Sequence, residues 1–120
     1  MAEWIVEYFR DAQGREPVAE FIDALPVGTQ AKIFRLIDLL AKYHVPLKEP
    51  YTRQIRGKLR ELRVVDAMGK IRVLYFAYTD KRFILLHGFV KKTGKTPRHD
   101  IDIAEKRMQN YLKQHGGMGK

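Results

Sequence analysis

The chain contains no cysteine. No disulfide can staple the fold, and no thiolate can bind a metal or attack a substrate. Long apolar runs are also missing. Nothing approaches the roughly 20 consecutive apolar residues of a membrane span, and no apolar N-terminal stretch resembles a signal peptide. A cytoplasmic protein that does not engage a membrane is therefore expected. Metal-site patterns are equally scarce. There is no HExxH sequence and no carboxylate cluster in the middle of the chain, so neither a metal nor a cofactor is expected. Internal repeats and linker-like stretches are absent, and 120 residues with 45% hydrophobic content supply one core. A single domain over residues 1–120 is expected.

Acidic charge is sparse where basic charge is dense. Residues 1–50 carry 6 Lys and Arg against 8 Asp and Glu, whereas residues 51–98 carry 13 against 3. The net charge of +9 therefore originates in the middle of the chain. A concentrated positive field attracts a polyanion and speeds encounter with it. An idle basic surface is the plainer alternative, but solubility does not require the charge to be one-sided.

The apolar pattern predicts the order β-α-α-β-β-β-α. Residues 3–9 alternate as a strand, with Trp4, Val6 and Tyr8 on one face and Ile5 and Phe9 on the other. Pro17 opens a short helix carrying Val18, Phe21, Ile22 and Leu25, which ends at Leu25-Pro26. A second helix over Val27 to Tyr43 has the stripe Ile33, Leu36, Ile37, Leu40 and Ala41. Val45 to Ile55 shows no period and reads as a loop. Leu59–Val65, Ile71–Tyr78 and Phe83–Val90 read as strands whose short connections allow only antiparallel neighbours. Thr96-Pro97 resembles a cap followed by a proline in the first turn of a last helix, which Gly116-Gly117 terminates. The fold class is α+β.

Arg72 is the most informative single residue, because it interrupts a run that is otherwise apolar and aromatic. A guanidinium placed there must be paired or must face a wet cleft. Two readings stay open: a cross-strand pair with Glu61, or a phosphate clamp over the sheet. His87, near the end of a strand, reads first as a satisfied core residue and second as a proton-transfer group. His99 is similar, and His44 and His115 read as surface residues. The run from Lys91 through Lys92, Lys95 and Arg98 leaves the last strand and enters the last helix, a plausible phosphate site. Gly94-Lys95-Thr96 is not a P-loop, since the earlier glycine of that motif is missing. A metal-free acid–base mechanism suits these residue types. In RNA the 2′-OH can attack the adjacent phosphate while basic side chains neutralise the developing charge.

Several blocks together resemble a known group. They are Trp4-x-Val6, Pro17-Val18-x-x-Phe21, Lys58-Leu59-Arg60-Glu61-Leu62-Arg63, Ile71-Arg72-Val73-Leu74-Tyr75-Phe76, and Leu85-Leu86-His87-Gly88-Phe89-Val90-Lys91-Lys92-Thr93 followed by Lys95-Thr96-Pro97. The chain resembles the phage-related Gp49-like, HigB-type branch of the RelE/HigB toxin superfamily, nearly from end to end. The resemblance implies a RelE-like fold, with two N-terminal helices on a twisted antiparallel sheet and a C-terminal helix. It implies a toxin of a type II toxin–antitoxin system that cuts mRNA in the ribosomal A site without metal. A helix-turn-helix type antitoxin is the implied protein partner. Carried onto this chain, the catalytic set is Arg72, Lys95, His87, Arg63 and Lys92, and the RNA-binding set is Lys58, Arg60, Lys91, Lys92, Lys95 and Arg98. The tyrosine that RelE carries near its C-terminus has no counterpart at the head of the last helix, so the general base is open between His87 and Lys95. A gyrase-poisoning toxin of the ParE sort shares the fold and is the alternative, followed by a non-enzymatic RNA- or ribosome-binding protein.

Overall fold

The computed structural model describes residues 3–43, 51–67, 69–79, 81–92 and 94–115. The elements are β1 (Ile5–Tyr8), α1 (Pro17–Asp23), α2 (Val27–Tyr43), β2 (Thr52–Arg56), β3 (Leu59–Asp66), β4 (Gly69–Tyr78), β5 (Arg82–Lys91) and α3 (Arg98–Gln114). They form one five-stranded sheet in the order β1-β5-β4-β3-β2. The fold is α+β, as expected.

Strand alternation divides the apolar residues between two cores. Leu62 and Val64 of β3, Ile71, Val73 and Tyr75 of β4, and Phe83 and Leu85 of β5 pack under α1 and α2. Their strand neighbours Leu59, Leu74, Phe76, Ile84 and Leu86 pack under Ala104, Met108 and Tyr111 of α3. A period of two in the strands thus builds both layers at once. The strands β3, β4 and β5 are consecutive and antiparallel, as their short links require.

Periodicity alone leaves the place of β1 open. It lies parallel to β5, with Ile5 opposite Arg82 and Tyr8 opposite Leu85. Trp4, Val6 and Tyr8 pack on the α1–α2 side and Phe9 joins the α3 side, whereas Ile5 is exposed. The strand is also shorter than residues 3–9.

Three boundaries differ from the sequence reading. Thr52–Arg56, all but its last residue within the stretch read as a loop, is a strand antiparallel to β3. Ile55 is its only aliphatic residue, so no alternation was there to read. Its arginines suit an edge, where charge discourages pairing with another chain. Gly57, at φ +55, takes the first position of the two-residue turn to β3, in the left-handed region that favours glycine. Second, α1 ends at Asp23, and the Leu25 N–H returns to Ile22 O at 2.9 Å. Third, Pro97 is itself the extended cap residue of α3, with no side-chain cap bond, and Thr96 is spent elsewhere. His44 and the Gly116-Gly117 helix end lie outside the described residues.

A bulge shapes the α3 face of β5. His87 stands opposite Leu74 while Leu85 stands opposite Tyr75, so Leu86 is an extra residue. The extra residue lets Leu86 and His87 both face α3, where strict alternation would send one to the other side. The bulge is followed by Gly88. A Cβ built there would lie 2.4 Å from the Phe21 ring of α1, so the helix rides directly on the strand backbone.

Candidate active site

The part of the sheet lying beyond the apolar footprint of α3 carries charge instead of core. Opposed residues of antiparallel strands share a face. Arg63 of β3 stands opposite Arg72 of β4, which stands opposite Phe89 of β5. The next row pairs Glu61 with Leu74 and Leu74 with His87. On the other side, Lys70 stands opposite Lys91. One carboxylate, one further guanidinium group and two lysines thus surround Arg72.

Arg72 is only 2% exposed and Glu61 is fully buried. Glu61 Oε2 lies 3.8 Å from Arg72 Nε and 3.8 Å from Arg63 Nε, ion-pair distances too long for a hydrogen bond. The second carboxylate oxygen accepts the Thr96 hydroxyl at 2.8 Å. Arg72 also donates to Ile71 O at 3.1 Å. Among the described residues, neither Arg72 Nε nor Glu61 Oε2 has a hydrogen-bond partner. The two sequence readings of Arg72 therefore meet in one arrangement. It is paired with Glu61, and it lines an open pocket of about 340 Å³ with Tyr51, Arg63, Val65 and Lys70.

The charge is not balanced. A pair near 4 Å gains roughly 4 kcal/mol at an effective dielectric of about 20, whereas desolvation costs several kcal/mol per buried ion. One carboxylate shared by Arg63 and Arg72, with Lys91 beside them, leaves excess positive potential facing the pocket. An anion there would relieve it. Lys91 is 7% exposed. Burial, with the Arg72 charge beside it, holds its ammonium below the usual lysine range against the pull of Glu61. Burial likewise lowers Arg72, with Glu61 opposing.

His87 has partners that its sequence neighbourhood did not show. Its Nε2 lies 2.7 Å from Asp100 Oδ1, and Arg107 Nη1 lies 3.3 Å from its Nδ1. Because a guanidinium can only donate, Nδ1 accepts and Nε2 carries the proton. Burial lowers the His87 pKa, with Asp100 pulling the other way. The ring also stacks on Phe89. Both nitrogens are engaged with α3, so the histidine fixes the helix against the bulge, and the geometry offers no free lone pair for proton abstraction.

The structure brings Arg63, Arg72 and Lys91 together. Lys92, Lys95 and Arg98 are exposed on the segment that leads from β5 into α3. It separates two residues from the rest. Arg60 belongs to the opposite face with Leu62, donates to the Thr52 hydroxyl at 2.9 Å and stands beside Tyr75. Lys58 occupies the β2–β3 turn, five residues and roughly 17 Å along the strand from Arg63. Of the residues expected to contact RNA, Arg60 thus lies on the other face of β3 from Arg72, and Lys58 lies at the far end of that strand from Arg63. Residues missed by sequence reasoning are Tyr51, Asp100 and Arg107. The arginines at 53 and 56 that follow Tyr51 are a local hint of a basic surface there; nothing local marks the other two.

Comparison with known proteins agrees with this architecture. The family model for phage-derived Gp49-like proteins (DUF891) matches residues 20–109. In two strains of Mycobacterium tuberculosis, a protein named "Probable endoribonuclease HigB1" is 31% identical over 118 residues, covering 97% of this chain and 90% of the relative. A double arginine-to-alanine variant of the E. coli toxin RelE, in its free state, superposes with a TM-score of 0.61. That match is 13% identical and covers 90% of this chain and 99% of the other, a likeness of fold. The chain belongs to the phage-derived Gp49-like family, within the RelE/HigB toxin superfamily.

Proposed function

We propose that the protein is an endoribonuclease toxin of a type II toxin–antitoxin system, and that it cuts mRNA on the ribosome. The observation that carries the reading is the opposed pair Arg63 and Arg72, sharing one buried carboxylate beneath an open pocket. Two guanidinium groups across adjacent strands suit the non-bridging oxygens of a phosphodiester. The kinship with a protein named as an endoribonuclease supports the same conclusion.

In this reading the 2′-oxygen of a nucleotide forms a bond to the adjacent phosphorus as the P–O5′ bond breaks. The 2′-proton leaves to a base and a proton reaches the departing 5′-oxygen, giving a 2′,3′-cyclic phosphate and a 5′-OH end. Arg72 and Arg63 stabilise the charge that builds on the phosphoryl oxygens. Lys91, whose ammonium is weakened by burial, is placed to exchange a proton, as desolvated lysines can. Lys92, Lys95 and Arg98 guide the RNA from the exposed loop. His87 holds α3 in place. No step is routed through a metal or a cofactor. A cognate antitoxin with acidic or apolar groups, of helix-turn-helix type, would cover the basic cleft, and the protein would act in the cytoplasm.

The test is to add purified protein to translating ribosomes and map mRNA 5′ ends. Discrete cuts bearing 5′-OH ends, suppressed when the product of a neighbouring gene is co-purified, are expected. Intact mRNA together with inhibited gyrase would overturn the reading in favour of a topoisomerase poison.

A further inference from the structure

The arginine row does not stop at Arg63. Thr52 pairs with Leu62, and the Arg63 N–H donates to Tyr51 O at 2.9 Å, so Tyr51 is the residue opposite Arg63 at the sheet edge. The full row across four strand positions is Tyr51, Arg63, Arg72 and Phe89. Tyr51 is 48% exposed. It lines the Arg72 pocket, and it also lines a second groove of about 290 Å³ on the other side of the edge. That second groove runs between α2 and β3, with Lys32, Arg35 and Leu39 on one wall and Tyr51, Arg63 and Val65 on the other. Among the described residues, no Asp or Glu lines either one.

We propose that this groove is a second RNA subsite, through which the strand leaves the Arg72 pocket around the sheet edge, one base stacking on Tyr51 and the next phosphates meeting Lys32 and Arg35. The proposal rests on the nuclease reading and adds the path of the strand. Continuity is the first argument: Tyr51, Arg63 and Val65 belong to both cavities. Charge is the second, since the described residues of its walls offer three cations, Lys32, Arg35 and Arg63, and no anion. The third is the alternation of an exposed ring with basic side chains, the combination that grips single-stranded nucleic acid with little sequence readout. Apolar Leu39 and Val65 line the same groove and favour the face of a base over a second charged chain.

The test uses a single-stranded RNA oligonucleotide with 2′-O-methyl riboses, which cannot be cut. Binding is measured for the wild type, Tyr51→Ala, Tyr51→Phe and the double variant Lys32→Ala/Arg35→Ala, each checked for folding by thermal unfolding. Tyr51→Ala should weaken binding about 5- to 150-fold, the range for losing one base–aromatic stack. Tyr51→Phe should bind as the wild type. The double variant should lower the slope of log affinity against log salt by about 1.4. Wild-type binding by Tyr51→Ala and by the double variant would overturn the subsite, as would Tyr51→Phe failing alongside Tyr51→Ala. Groove variants that bind the oligonucleotide normally but escape the antitoxin would assign the groove to that protein, and would also overturn it. Cleavage on ribosomes is scored separately. A wild type that cuts mRNA with groove variants that bind and cut equally well refutes the subsite alone. A wild type that never cuts but binds through Tyr51 refutes the nuclease reading alone.

Discussion

Arg63 and Arg72 face each other across β3 and β4, and both lean on the single buried carboxylate of Glu61. Two like charges held side by side are stable only if something negative shares the space. The protein supplies half of what is needed, and the pocket above is open for the other half.

Arg72→Ala should remain folded, because Arg63 and Lys91 still neutralise Glu61. It should still bind its antitoxin. Losing the contact to the transition state should cost about 2–4 kcal/mol, a drop in cleavage of roughly 10²–10³. Arg72→Lys should recover little, since it keeps the charge without the planar fork. Thermal unfolding and cleavage measured on one preparation decide the matter. An unfolded Arg72→Ala protein would make the residue purely structural.

Glu61→Ala should behave in the opposite sense. It removes the partner of two arginines and the acceptor of the Thr96 hydroxyl. The expected destabilisation is about 3–5 kcal/mol, the usual result of breaking a buried pair from one side. Denaturant midpoints would show it. A midpoint equal to that of the wild type would mean that the arginines are solvated and not held by the carboxylate.

His87 should make stability depend on pH. Burial holds its folded pKa below the ordinary histidine value of about 6.5. Below about pH 6.5 the unfolded chain takes up a proton that the folded protein resists, so stability falls as pH drops through that region. The fall ends once the folded histidine is itself protonated. His87→Gln should flatten the curve between pH 7 and pH 5, read as urea midpoints. An unchanged slope would assign the titration to another group.

Gly88→Ala should cost about 1–3 kcal/mol, the scale of overpacking, because the new methyl group meets the Phe21 ring. Adding Phe21→Leu should recover part of the loss. A fully tolerated Gly88→Ala would show that α1 can lift from the strand.

How much of this could be read in advance depends on whether the information was local. The three central strands were legible because apolar alternation and short links lie within a few residues of each other. Arg72 stands out because it breaks an apolar run, and a cross-strand pair with Glu61 is one of the two readings its sequence leaves open. Other features depend on distant residues. β2 hides because Thr52–Arg56 has almost no apolar signal and is held by the backbone of β3. Thr96 looked like a helix cap, yet its hydroxyl is used 35 residues away on Glu61. His87 meets Asp100 and Arg107 only because a bulge turns it toward α3. No period in the sequence announces an extra residue in a strand.

The parallel seat of β1 has a consequence for how the molecule comes into being. Ile5 to Tyr8 bond to Arg82 to Leu85, so the first strand has no sheet to join until β5 has been made. Contacts of such long sequence separation form slowly, since the intervening loop must close before they repay it. During synthesis, which advances at about 5–20 residues per second, a nascent chain that has reached only Asp66 has neither the Arg72 strand nor β5. The opposed arginines can meet only after β4 has been made. The arginine pocket is thereby absent from incomplete chains, and whatever partner covers it can bind there only once β4 has joined β3.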